Sequence, residues 1–335
     1  MPKVTSEAGI KMSKKALMIS AAVAGLLATG PALAKGTLYT IPPVSGSTET
    51  IAFGVNNNGD ITGFWLDSSG VEHGFVGPDD GSSYTSFDDT ADGTGTQARG
   101  ISAKGVVTGI ANLSTGNPLE YVPFERTTDG TITHVTKKGT VLNYLIHGIN
   151  KSGIFAGNYE DPSTLVDYGY TGKNAQYKTA LKLKGIKNTG TAARGINDAG
   201  DIVGWYLDSS AVLHGFYMPH GGKAVTVDDP AGANTIGLEG INNKGEAVGM
   251  FTDVSGNRHG FTYDIAKKKF TELTISGATA VEVWGVNDKG VVALDNESAG
   301  YLWCPRASDC PSGAAAVKPQ PVKLHPGVHV PRLVP

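Results

Sequence analysis

One hexapeptide pattern recurs along this chain and restricts its fold more than any other feature. Gly-Ile/Val-Asn-x-x-Gly begins at Gly54, Gly148, Gly195, Gly240 and Gly285, and a variant with Ser in place of Asn begins at Gly100. The intervals are 46, 48, 47, 45 and 45 residues. A repeat of this length is one supersecondary unit that cannot bury its apolar face alone and must stack on its neighbours. Within a unit, runs rich in Val, Ile, Tyr, Phe and Thr alternate with Gly, Asn, Asp and Ser clusters, the pattern of short strands and turns. The clearest copy predicts strands over 201–208, 212–219 and 223–229, followed by the first strand of the next unit over 235–242. Four short strands in about 46 residues is the spacing of a β-propeller blade. The expected fold is therefore all-β, a six-bladed propeller with four antiparallel strands per blade, spanning residues 35–304.

The last unit has text for three strands only, at about 279–287, 290–295 and 299–304. Leu38-Tyr39-Thr40-Ile41 resembles the fourth-strand text Val225-Thr226-Val227-Asp228 and precedes the first strand of blade one, Glu49–Asn56. The N-terminal strand should therefore complete blade six and close the ring, because an open ring leaves backbone edges unpaired. Crowding at the axis explains the motif glycines and a second set in the second strands: Gly63, Gly109, Gly157, Gly204 and Gly249. The motif Asn and the Gly three residues later are turn formers that tolerate positive φ. The motif Ile/Val and a later Phe/Tyr should pack between blades.

Residues 12–34 combine Met12-Ser13-Lys14-Lys15, an apolar run from Ala16 to Thr29 and Ala32-Leu33-Ala34, the three parts of an export signal. The run is shorter than the ~20 residues a membrane-spanning helix needs. Residues 1–34 read as a signal peptide, and the mature protein as periplasmic or extracellular with no transmembrane span. Cleavage removes four Lys and one Glu from the 28 basic and 31 acidic side chains, leaving 24 and 30, a net charge of −6. That balance excludes nucleic acid as a main partner, since phosphate neutralisation needs clustered Lys and Arg. The two cysteines, Cys304 and Cys310, are six residues apart, and in an oxidising compartment they form a local disulfide. Residues 305–335 then comprise this loop and a Pro-rich tail without a strand partner.

At this point the text resembles a known family. Gly195-Ile196-Asn197-x-x-Gly200-x-Ile202-Val203-Gly204, then Asp208-Ser209-Ser210, His214-Gly215-Phe216 and Asp228-Asp229-Pro230-Ala231 are similar to the bacterial extracellular repeat family called HAF, after its His-Ala-Phe signature. Here the middle residue is Gly. The resemblance covers about residues 37–304 and is best over 195–262. It implies export and a propeller-like fold, and it brings no established activity. Blade two departs most: it has Glu120-Tyr121-Val122 where blades one, four and five have His73-Gly74-Phe75, His214-Gly215-Phe216 and His259-Gly260-Phe261.

A His at the same strand position of three blades is read as serving the blade. Asp67, Asp161, Asp208 and Asp253 each stand thirteen residues after a motif Gly, at the turn between second and third strands. With Asp88-Asp89 and Asp228-Asp229 at the ends of fourth strands, they predict an acidic face that could draw cations or a basic partner; turn chemistry alone also explains them. Positions that differ between blades at one structural place are freer to read a ligand. The residue before the motif Gly is Phe53, Arg99, His147, Arg194, Glu239 and Trp284 in blades one to six. On the innermost strands these six should ring the channel or its mouth. Two Arg, a His, a Glu and two aromatics suit an anionic or hydroxyl-rich ligand; inter-blade packing or Arg–Glu pairing with no ligand also accounts for them. No catalytic, cofactor or metal motif is present.

Three functions remain open. The first is an exported, monomeric binding module for a glycan, an envelope or matrix component, or another protein. The second is a polysaccharide lyase or hydrolase at the channel mouth, for which Glu239 with His147 is the single acid/base pair available. The third is a structural envelope protein.

Overall fold

The computed structural model describes residues 32–33, 36–89, 93–113, 121–136, 139–228, 235–253, 256–275, 281–296 and 299–311, with only the backbone described at 32–33, 93–94, 113 and 235–236. Six small antiparallel sheets form a six-bladed β-propeller. Blade one comprises Glu49–Val55, Asp60–Leu66, Glu72–Pro78 and Thr85–Phe87. Blade two comprises Gly93–Ile101, Val107–Leu113, Tyr121–Arg126 and Ile132–His134, and blade three Leu142–Ile149, Ile154–Asp161, Val166–Lys173 and Tyr177–Ala180. Blade four comprises Gly190–Ile196, Ile202–Leu207, Leu213–Met218 and Val225–Val227. Blade five comprises Thr235–Ile241, Glu246–Thr252, Arg258–Asp264 and Lys269–Leu273. The backbone of Ala32–Leu33 runs parallel to the outer edge of blade five. The rest of the leader and the tail lie outside the described residues. Among the described residues, no helix is long and apolar enough to cross a membrane.

Blade six closes the ring as the edge count requires. Its inner strands are Glu282–Val286, Val292–Asp295 and Gly300–Cys304, and its outermost strand is Thr37–Thr40 from the front of the domain. Leu38 pairs with Trp303 and Tyr39 with Leu302, and Ile41 N–H donates to Gly300 O at 3.0 Å. Tyr39 and Ile41 join a core cluster with Ala52 and Phe75 of blade one and Ala293 and Leu302 of blade six. The Cys304–Cys310 disulfide, with its Cα atoms 5.7 Å apart, ties down the chain just after the closing strand.

The motif marks a β-bulge. Register slips between Ala52 and Gly54, Ala98 and Gly100, Ala193 and Gly195, Leu238 and Gly240, and Val283 and Gly285. Blade three slips between Ile146 and Ile149. The residue before the motif Gly is thus the extra one, left without a Cα partner and re-aimed by the bulge. A Cβ at Gly204 would fall on Ala192 O, and one at Gly63 on Ile51 O, so the second-strand glycines admit the inner strand's displaced carbonyl. At the axis the motif glycines face one another: a Cβ on Gly195 would stand 2.9 Å from Gly240 Cα.

The motif Asn has a second role that turn chemistry does not express. Its Oδ1 accepts the backbone N–H groups of its own turn, as at Asn242 from Lys244 (2.9 Å) and Glu246 (3.0 Å). Its Nδ2 donates to the backbone carbonyl of the equivalent residue in the next blade. The links run Asn150 to Asn197, Asn197 to Asn242, Asn242 to Asn287, and Asn287 to Asn56 across the closure, at 2.9–3.3 Å. Asn56 donates to Ser102 O at 3.2 Å. Positive φ is taken by the glycine that follows, 76° at Gly245 for instance, and by none of these Asn residues.

Blade two corrects the expected alignment. Gly109 pairs with Phe124, as Gly63 pairs with Phe75. Its signature is therefore Val122-Pro123-Phe124 rather than Glu120-Tyr121-Val122, and its Phe is as buried as the others.

Candidate functional site

The six bulged positions converge on the axis. Phe53, Arg99, His147, Arg194, Glu239 and Trp284, with the Gly and Ile/Val that follow each, line one cavity of about 100 Å³. Its floor is a collar of Val55, Ile101, Ile149, Ile196, Ile241 and Val286. The same collar bounds the opposite mouth, where the motif Asn residues lie. These collar side chains also pack between blades, Ile196 beside Ala156 and Ile241 beside Val203. The bulge explains why the lining is so regular: one backbone irregularity, repeated six times, aims one side chain per blade at the same place.

The pit has an aromatic side and a charged side. Blades six and one supply Trp284 and Phe53, edge to face at 4.8 Å between centroids, with Phe64 behind Phe53 at 5.4 Å. Trp284 Nε1–H donates to Asp295 Oδ2 at 2.6 Å, which fixes the indole plane. Arg99 comes next, its guanidinium carbon 5.3 Å from the Phe53 ring centroid, a cation–π arrangement. Arg99 Nη2 donates to Gln97 Oε1 at 2.7 Å, and Gln97 in turn donates to Glu72 at 2.8 Å. Arg194 stands between His147 and Glu239. Its Nη1 lies 2.9 Å from His147 Nε2, and its Nε 3.5 Å from Glu239 Oε2. Asn158 Oδ1 braces His147 at 3.1 Å, and Asn158 Nδ2 is anchored to Asp167 at 3.0 Å.

Burial sets the charges. Burial first, and then the neighbouring Arg194 and Arg99, hold His147 well below the ordinary imidazole range, so it is neutral at pH 7. Burial raises the Glu239 carboxyl against the pull of Arg194 and Arg99. Burial, then repulsion from Arg194, brings Arg99 down to about 10, still a cation at neutral pH. The two arginines differ in one respect. Arg194 has Glu239 as its counter-ion, whereas Arg99 has no carboxylate within ion-pair distance among the described residues and is linked to Glu72 only through Gln97; neither Nε makes a hydrogen bond. Of the two alternatives to a ligand, Arg–Glu pairing thus accounts for Arg194, and packing between blades accounts for the contact of Arg99 with Phe53. Glu239 and His147, the single candidate acid/base pair, are each joined to Arg194.

The recurrent His and Asp residues form blade furniture of a kind the sequence showed only in part. His73 stacks on Trp65 at 4.3 Å, His214 on Tyr206 at 5.0 Å and His259 on Phe251 at 4.8 Å. Each is held between two carboxylates: Asp67 and Asp88, Asp208 and Asp228, Asp253 and Glu272. Asp67, Asp208 and Asp253 also cap their own turns, Asp67 Oδ1 accepting from Ser69 and Val71 N–H. Asp161 caps its turn through Ser163 and Thr164. The four Asp positions therefore cap equivalent turns of their blades, and three of the four face a histidine. In blade three Tyr168, stacked on Tyr159 at 5.7 Å, stands at the histidine's place. Among the described residues no group of three or more His, Cys, Asp or Glu could hold a metal ion.

No protein-family model matches the chain, and no curated protein matches it. Solved structures do. TolB from Acinetobacter baumannii superposes with a TM-score of 0.51 at 12% identity, covering 73% of this chain and 63% of TolB. A structure described in a structural and mechanistic analysis of two prolyl endopeptidases gives 0.48 at 14% identity, over 75% of this chain and 39% of that one. YCF48 bound to D1 peptide gives 0.45 at 10% identity, over 82% and 96%. This chain spans less than two thirds of the first two. The likeness to TolB shows a shared propeller fold.

Proposed function

We propose that this chain is an exported β-propeller binding module whose axial pit receives an acidic group of an extracellular glycan. The observation that carries the reading is Arg99, a guanidinium held at the axis in a low-dielectric setting with no carboxylate in ion-pair contact among the described residues. An anion bound there gains a charge-assisted, forked contact, and the Phe53–Trp284 pair offers a flat surface to whatever carries the anion. Export rests on the basic and apolar leader, on the HAF-like repeat text, and on the Cys304–Cys310 disulfide, which suits an oxidising compartment.

The test is retention of the mature protein on polygalacturonate, with neutral pullulan and an acidic polypeptide, polyglutamate, in parallel. Polygalacturonate should retain the wild type and release the double variant Arg99→Gln/Arg194→Gln, while pullulan retains neither. Undiminished retention of the double variant would place the site elsewhere. Retention by polyglutamate alone would make the partner a protein, and shortening of the polymer would convert the module into an enzyme.

A further inference from the structure

The two guanidinium groups of the pit would by themselves suit a dianion such as a phosphate monoester, since each can offer a fork of donors. Glu239 changes this. Its carboxylate lies 3.5 Å from Arg194 Nε and is itself buried, 8% exposed. It faces Arg99 across the axis, because blades two and five are opposite in a ring of six. Among the residues that line the pit, an incoming anion therefore meets one cation without an ion-pair partner and one buried negative charge; Glu72 stands behind Arg99 through Gln97 and does not line the cavity. A single negative charge on Arg99 balances the charges of the lining, whereas a second would be buried against Glu239 without a partner.

The position of Arg99 adds a constraint on shape. Its guanidinium carbon is 5.3 Å from the Phe53 centroid, and Phe53 meets Trp284 at 4.8 Å. A carboxylate seated on Arg99 brings the ring that bears it alongside those two aromatics. We infer that Glu239 is the specificity-determining residue of this pit, restricting it to a singly charged carboxylate on a ring, a hexuronate, and excluding phosphate monoesters. This rests on the anion-binding reading above and narrows it.

Glucuronate, glucose 6-phosphate and glucose share one pyranose ring and differ at C6 alone, as carboxylate, phosphate and hydroxyl. At pH 8 the phosphate is a dianion. Titration of the mature protein, followed by calorimetry and by ligand-observed NMR, should give glucuronate at least tenfold tighter than glucose 6-phosphate, with glucose weaker than either. In Glu239→Gln the phosphate should tighten about tenfold or more and glucuronate by a clearly smaller factor, so the ratio falls. Glu239→Ala should move the ratio in the same direction. If neither variant folds, the wild-type ratio decides: equal binding of the two anions overturns the inference. So does a ratio that Glu239→Gln leaves unchanged. Glucuronate binding that depends on Arg99 but ignores Glu239 sinks only this inference. Failure of all three sugars to bind, with polygalacturonate also unretained, sinks the anion-binding reading as well.

Discussion

Tyr39→Ala tests how the ring is held shut. Tyr39 belongs to the front of the domain, yet it is 8% exposed and packs with Ile41, Phe75 and Leu302 where blades six and one meet. Removing a large buried aromatic leaves a cavity and forfeits the transfer energy of the ring, about 3–5 kcal/mol in a core that cannot collapse. The strand has one neighbour in its sheet, so some relaxation is available and the lower end, about 3 kcal/mol, is expected. Urea unfolding followed by tryptophan fluorescence is suited to this, since Trp303 pairs with Leu38 of the same strand. A domain of this size has a slope near or above ~3 kcal/mol/M, so the midpoint should fall by about 1 M. Tyr168→Ala is the control: Tyr168 is 39% exposed and should move the midpoint far less. If the two variants shift alike, Thr37–Thr40 does not hold the ring, and closure has another cause.

Three further outcomes follow from the same packing. Gly204→Ala places a methyl on Ala192 O and should cost about 2–3 kcal/mol, lowering the melting temperature by roughly 4–12 °C; a shift under 2 °C would show that the bulge yields. Ser102→Asn supplies the amide that the Asn ring has at its other five positions, and should add about 0.5–1.5 kcal/mol by reaching Asn150 O, read as a higher urea midpoint; a lower midpoint would show that blade two cannot seat it. Glu49 is raised to about 7 by burial, then by Asp295 and Glu72. Its folded pKa lies above its unfolded one, so stability is lost as pH rises from about 4.5 through 7 and the penalty is complete above that. Glu49→Gln should therefore stabilise the protein at pH 8 by about 1–2 kcal/mol, allowing for its partly open setting, and change little at pH 4. Equal effects at both pH values would refute the assignment.

Much of this molecule was legible in its sequence because one irregularity is written six times. Gly-Ile/Val-Asn-x-x-Gly marks each bulge, so the residue before it could be followed from blade to blade, and Phe53 to Trp284 do line one cavity. The missing fourth strand and the spare Leu38–Ile41 text located the closure for the same reason. What stayed hidden involves partners that no local spacing reveals. The amide of Asn197 reaches Asn242 O, a carbonyl one whole repeat away. His214 meets Asp228 at the far end of its own blade. Blade two was misaligned because its chain from Gly100 to Phe124 is three residues longer than that from Gly54 to Phe75, and counting from the motif landed on the preceding text. The unequal state of Arg99 and Arg194 depends on which neighbour reaches which guanidinium, and composition holds no trace of that.

The central claim is that the axial pit is the recognition site and Arg99 its anchor. A crystal structure of the mature protein with trigalacturonate tests it most directly. A carboxylate should sit ~3 Å from the Arg99 guanidinium, with its sugar ring against Phe53 and Trp284. An empty pit, with the sugar bound on the Tyr159–Tyr168 surface or at the Asn-lined mouth instead, would contradict it.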